Sequence, residues 1–139
     1  MKRFPLSLCC LLVLCSCVSR QQADEKLEKG CKAATELFLE DGFTIKEIKD
    51  TQHKTSPTFG KSYREVTILA IETDEWLDVE KNYRCIFAEE FNMLGSSHRA
   101  TLYQLNVNDQ TYGFKDGKII GDMKTHMNIK NAVERAMTQ

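Results

Sequence analysis

The stretch Asp24-Glu-Lys-Leu-Glu-Lys-Gly-Cys31-Lys-Ala-Ala-Thr-Glu-Leu-Phe-Leu-Glu40 decides the fold. Leu27, Cys31, Ala34 and Phe38 recur at i, i+4, i+7 and i+11, flanked by Leu37, which is one apolar stripe on a helix. Lys26, Glu28, Lys29, Lys32 and Glu36 take the other faces. Asp24 and Glu25 suit the positive end of the helix dipole. Upstream, Ser19 and Gln22 have capping-box spacing, so the helix can begin almost at Ser19. Gly30 lowers helix propensity by ~1 kcal/mol relative to Ala, and beside Cys31 it would let a sheet approach closely. Asp41-Gly42 reads as the stop, with Gly42 at the left-handed C′ position.

After Gly42 the apolar period changes from 3.6 to 2. Strands are expected over Phe43–His53, Tyr63–Glu72, Asn82–Phe91 and Arg99–Val107. A short hairpin, Thr111–Lys115 and Lys118–Gly121, follows about Asp116-Gly117, a type I′ signal. Lys124–Met137 closes the chain as a helix, with Met127, Ala132, Val133, Ala136 and Met137 apolar. The fold class is therefore α+β: an N-terminal helix packed on an antiparallel meander of four to six strands, with a C-terminal helix. The order looks like cystatin-like or nuclear-transport-factor-like folds. The Gln104-Leu-Asn-Val-Asn108 run does not match the protease-binding hairpin of cystatins (Gln-x-Val-x-Gly), since Asn106 is central and the glycine is missing.

The first residues, Met-Lys-Arg-Phe-Pro-Leu-Ser-Leu-Cys-Cys-Leu-Leu-Val-Leu-Cys-Ser-Cys17, read as a targeting segment. Lys2 and Arg3 form its basic start and Leu6–Leu14 an apolar run of about nine residues, short of the ~20 that span a bilayer. Leu14-Cys15-Ser16-Cys17 resembles the bacterial lipobox, although Cys15 stands where Ala, Ser or Thr is commoner. The resemblance implies cleavage before Cys17, a diacylglyceryl thioether on its sulfur and acylation of its new amino group. Val18 in place of Asp after that cysteine is similar to the outer-membrane sorting signal of enterobacterial lipoproteins. Secretory cleavage after Ser19 is the rival. The expected organisation is residues 1–16 as signal peptide, 17–23 as anchor and short tether, and 24–139 as a single domain.

With Cys9, Cys10 and Cys15 removed and Cys17 acylated, Cys31 and Cys85 are left in a compartment that permits oxidation. A Cys31–Cys85 bridge is expected, two buried free thiols being the alternative. Cys85 alternates with Tyr83 and Phe87, so it points to the face that a covering helix with Cys31 would occupy.

The remaining chemistry is sparse. The 139 residues are 42% apolar and 28% charged with a net charge of −1, and losing Lys2 and Arg3 makes the balance more acidic, so nucleic acid is not an expected partner. His53, His98 and His126 fall on separate elements and read as surface or strand-end residues. Glu89 and Glu90 are adjacent and so face opposite sides of a strand. Ser96-Ser97-His98 reads as a turn. Phosphate-loop, dinucleotide, nucleophile-elbow and zinc-protease motifs do not occur, and no cofactor or metal is expected. Trp76-Leu77, among Asp74, Glu75 and Asp78, is either an interaction loop or a cap folded onto the sheet edge. The expected function is a non-catalytic protein-interaction or accessory module, held at the membrane by its lipid and binding an envelope protein. The alternative is an inhibitor or ligand-binding module acting on a hydrolase.

Overall fold

Ser19 Oγ accepts the Gln22 N–H at 3.1 Å while Gln22 Oε1 accepts the Ser19 N–H at 2.9 Å, and this capping box opens α1 (Arg20–Glu36). The computed structural model describes residues 17–139; the leader assigned to residues 1–16 lies outside them. Two boundaries differ from the sequence reading. The stretch 17–23 is not a free tether, because helix starts at Arg20 and Ala23 is already buried. The helix also ends at Glu36, with Leu37 as C-cap, and Gly42 (φ 86°) belongs to the turn into the sheet. Leu37 and Phe38 close tighter i−3 bonds to Ala34 and Thr35, and Phe38 then packs on Tyr112 with ring centroids 4.5 Å apart.

The six strands β1 (Thr44–Ser56), β2 (Gly60–Thr73), β3 (Asp78–Phe91), β4 (His98–Val107), β5 (Gln110–Lys115) and β6 (Lys118–Ile120) form one antiparallel meander in sequence order. Opposite pairs such as Val66 with Cys85 and Ile68 with Tyr83 place apolar residues on one face. That face holds Val66, Ile68, Ala70, Tyr83, Cys85, Phe87, Leu105 and Val107, all in the core. The pairing shifts between Ile86–Gln104 and Phe87–Leu102, leaving Tyr103 as an extra residue. Gly113 lies beside this bulge at φ 93°, where a Cβ would fall 2.5 Å from the Tyr103 carbonyl oxygen. Asp116 and Gly117 (φ 51° and 74°) both take the left-handed region that a type I′ hairpin requires.

Asp122 caps α2 (Met123–Thr138) by accepting the Thr125 N–H at 2.9 Å. Its buried residues are Ile129, Val133 and Met137, at i, i+4 and i+8. Met127, expected on the apolar side, is exposed instead, because the stripe that meets the core runs through Ile129. Gly30 also has a different neighbour from the one expected. A Cβ there would lie 2.9 Å from Met137 Cγ and 3.2 Å from Val133 Cγ1, so the glycine admits α2 rather than the sheet.

Candidate functional site

Cys31 and Cys85 form a disulfide across 54 residues, with Cα atoms 5.7 Å apart. Both are fully buried in the centre of the core. The bridge joins α1 to the face of β3 that also carries Tyr83 and Phe87, so the helix cannot slide along the sheet.

Around this staple lie polar groups whose partnerships are long-range. Near the start of α1, Arg20 sets Nη1 and Nη2 on the two carboxylate oxygens of Glu89 at 2.7 and 2.9 Å. Glu89 in turn sits 3.0 Å from His98 Nε2. His98, the first residue of β4, is buried and lies against Phe91, so of the surface or strand-end positions expected from sequence it takes the strand end, with its ring in the interior. One turn on, Asp24 accepts two hydrogen bonds from Arg64 of β2, at 3.0 and 2.7 Å. Burial pushes the Asp24 carboxyl up, but the hydrogen bonds and charge of Arg64, with the charge of Arg20, outweigh it and hold the group below 3.8.

At the opposite end, Glu72 is fully buried and accepts the Tyr83 hydroxyl. Lys81 bridges Glu72 and Glu40 at 3.0 and 3.1 Å. Burial and the neighbouring Glu72 push the Tyr83 phenol up, which keeps it a neutral donor. Nothing in the spacing of these residues announces either cluster; the partners are brought together by strand pairing and by α1 crossing the sheet.

Each cluster adjoins a concavity open to solvent, one of about 350 Å³ lined by Tyr63, Glu89 and Arg99, the other of about 340 Å³ lined by Phe38, Glu40 and Lys81. The interface between α2 and β4–β5 leaves a void of about 10 Å³, lined by Leu102, Leu105, Tyr112 and Ile129, which is at the lower limit for one water. Among the described residues no three His, Cys, Asp or Glu side chains group as a metal site would need. Gln104 donates its side-chain amide to the Phe114 carbonyl at 2.8 Å.

The surface features lie at the two tips of β3. In the β2–β3 turn, Asp74 Oδ1 accepts the N–H groups of Trp76 and Leu77 at 2.8 and 2.7 Å. This turn holds Trp76 away from the sheet, 91% exposed, with Leu77 exposed beside it. The edge-capping alternative for Trp76 is therefore excluded. Cys17 belongs to the other tip. Its Sγ lies 3.7 Å from the Leu94 carbonyl oxygen, and the Val18 N–H donates to the Gly95 carbonyl at 2.8 Å. The 14 residues of β3 separate the two tips by about 45 Å at ~3.3 Å per residue.

Neither a family model, nor a characterised protein, nor a solved structure matches this chain. The functional reading rests on the residues described above.

Proposed function

We propose that this chain is an envelope lipoprotein, acylated at Cys17 and sorted to the outer membrane, whose non-catalytic domain binds another protein through Trp76-Leu77. The observation that carries the reading is the presentation of Trp76. A large aromatic, 91% exposed on a turn braced by Asp74, stands at the end of β3 remote from Cys17. Tryptophan is enriched among residues that dominate binding energy, and a braced turn lowers the ordering entropy that binding costs.

The amino-terminal geometry supports cleavage before Cys17 over secretory cleavage after Ser19. The first keeps the Ser19 capping box and the Val18–Gly95 hydrogen bond; the second removes both. The exposed Trp76-Leu77 turn supports a protein-binding surface; the alternative of a ligand-binding module would use the solvent-open concavity of about 350 Å³ beside Glu89 and Arg99. At the level of fold, α1 crossing a meander sheet supports a likeness to cystatin-like or nuclear-transport-factor-like folds, which we include in the proposal.

Affinity capture from detergent-solubilised envelopes tests the interaction. Trp76→Ala is expected to lose the captured protein while its stability stays within about 0.5 kcal/mol of the parent, as for an exposed side chain. Equal capture by both would overturn the assignment of the tip. Cys17→Ser is expected to leave the precursor uncleaved and the chain without acyl groups; normal processing and lipid attachment would refute acylation at Cys17.

A further inference from the structure

We infer that the β3–β4 loop, through Met93 and Leu94, is a membrane-docking element that enters the lipid interface beside the acyl anchor. The inference rests on the acylation of Cys17 proposed above. Met93 is fully exposed and Leu94 is 81% exposed, and Phe91 at the end of β3 adds a partly exposed ring to the same tip.

Their exposure is built into the loop. Asn92 N–H donates to the Ser97 carbonyl at 3.1 Å and Gly95 N–H to the Asn92 carbonyl at 2.9 Å. The Asn92 side chain donates to Ser96 Oγ at 2.7 Å and accepts the Ser97 N–H at 3.2 Å. Asn92, Ser96 and Ser97 thus brace the loop from within, while its two large apolar side chains stand exposed. Contiguous exposed apolar side chains with a polar rim mark surfaces that are covered in the working protein.

The occupant follows from where the chain enters. The thioether lipid would leave from Cys17 Sγ, the atom 3.7 Å from the Leu94 carbonyl oxygen. The acylated amine would belong to the same residue, and Val18 is already tied to Gly95. Three residues, Cys17 to Ser19, precede the helix, and α1 is held to the sheet by the Arg20–Glu89 pair. With so little slack, acyl chains that enter the bilayer bring the Met93-Leu94 tip to the bilayer surface. Arg20 lies over the Phe91 ring at 5.2 Å, a cation beside an aromatic as at other lipid interfaces. The domain would then stand on this tip, with Trp76 held away from the membrane toward a partner.

The test uses the full chain, processed in cells, carrying Leu94→Trp with Trp76→Phe, and reconstituted in phosphatidylethanolamine–phosphatidylglycerol vesicles. The probe at position 94 is expected to emit at shorter wavelength than in detergent-free buffer and to be quenched by lipids brominated near the headgroup. Trp76 in the otherwise unsubstituted protein is expected to stay unquenched. The intact mass of the same preparation reports acylation of Cys17 separately. An acylated protein with position 94 unquenched and in water overturns the docking while leaving the anchor standing; an unacylated protein overturns both. Shielding at position 94 without bromolipid quenching, together with a doubled protein mass in detergent, would assign the loop to a second copy of the chain and overturn the membrane reading.

Discussion

Arg20 in the first turn of α1 and Glu89 near the end of β3, 69 residues apart, meet through two parallel hydrogen bonds of 2.7 and 2.9 Å. Arginine matches a carboxylate in this way because its guanidinium is planar and presents paired donors. The Glu89 side chain is largely buried and faces His98 as well, whereas Arg20 remains 39% exposed. Removing the base strands a buried carboxylate, whereas removing the acid leaves an arginine that water and Asp24 still serve. Arg20→Ala is therefore expected to cost about 2–4 kcal/mol, and Glu89→Ala about 1 kcal/mol, in urea denaturation. Equal losses would mean that the carboxylate is better hydrated than its burial indicates.

The disulfide closes a loop of 54 residues. On the chain-entropy relation such a loop restricts the unfolded ensemble by about 4 kcal/mol. Cys31→Ala with Cys85→Ala should therefore lower the unfolding free energy by about that amount, less any relaxation of the packing. Mass measurement of the denatured parent before and after reduction should differ by two hydrogens, localised to the peptides carrying these cysteines.

Asp24 is held below its ordinary value of 3.8 by Arg64 and Arg20 in spite of burial. A carboxylate depressed in the folded state binds fewer protons there than in the unfolded chain, so its contribution is complete above about pH 4 and disappears as pH falls through the lower folded value. Asp78 and Asp122 are depressed in the same direction, by Lys46 and Thr125 respectively. Asp24→Asn should thus flatten the acid limb of the stability profile without abolishing it. An unchanged acid limb would show that the Arg64 pairing does not distinguish folded from unfolded chains.

Gly30 bears on the packing of the two helices. Alanine there gains ~1 kcal/mol of helix propensity, but its Cβ would meet Met137 Cγ at 2.9 Å and Val133 Cγ1 at 3.2 Å. Overpacking of this kind costs about 1–3 kcal/mol, so Gly30→Ala is expected to be neutral to destabilising by about 2 kcal/mol, with Gly30→Val worse. Pairing Gly30→Ala with Met137→Ala relieves the overlap and should make the two substitutions non-additive in a double-mutant cycle.

The elements themselves were legible in the linear pattern because their signals are local. Ser19 and Gln22 are three residues apart, Asp116 and Gly117 are adjacent, and the alternation of Tyr83, Cys85 and Phe87 needs only a period of two. The end of α1 was misread at Gly42 because the glycine signal there serves a turn outside the helix. The strand-end position of His98 is legible, but a turn-like neighbourhood does not reveal that its ring enters the interior beside Glu89. Met127 competes with other apolar residues for one stripe of α2, and contact with α1 at Val133 and Met137 and with β4–β5 at Ile129 selects the buried set.

By itself the sequence determined the α+β class, the meander order and the face on which Cys85 meets the covering helix, since hydrophobic periodicity and turn chemistry act over a few residues. Tertiary structure decided which side chains answer one another across the fold: Arg20 with Glu89, Asp24 with Arg64, Tyr83 with Glu72. It also decided that Trp76 stands free and that Cys17 adjoins the Met93-Leu94 tip. The physical reason is that register and helix crossing bring together groups tens of residues apart, and exposure depends on that whole arrangement rather than on the residue's immediate neighbours.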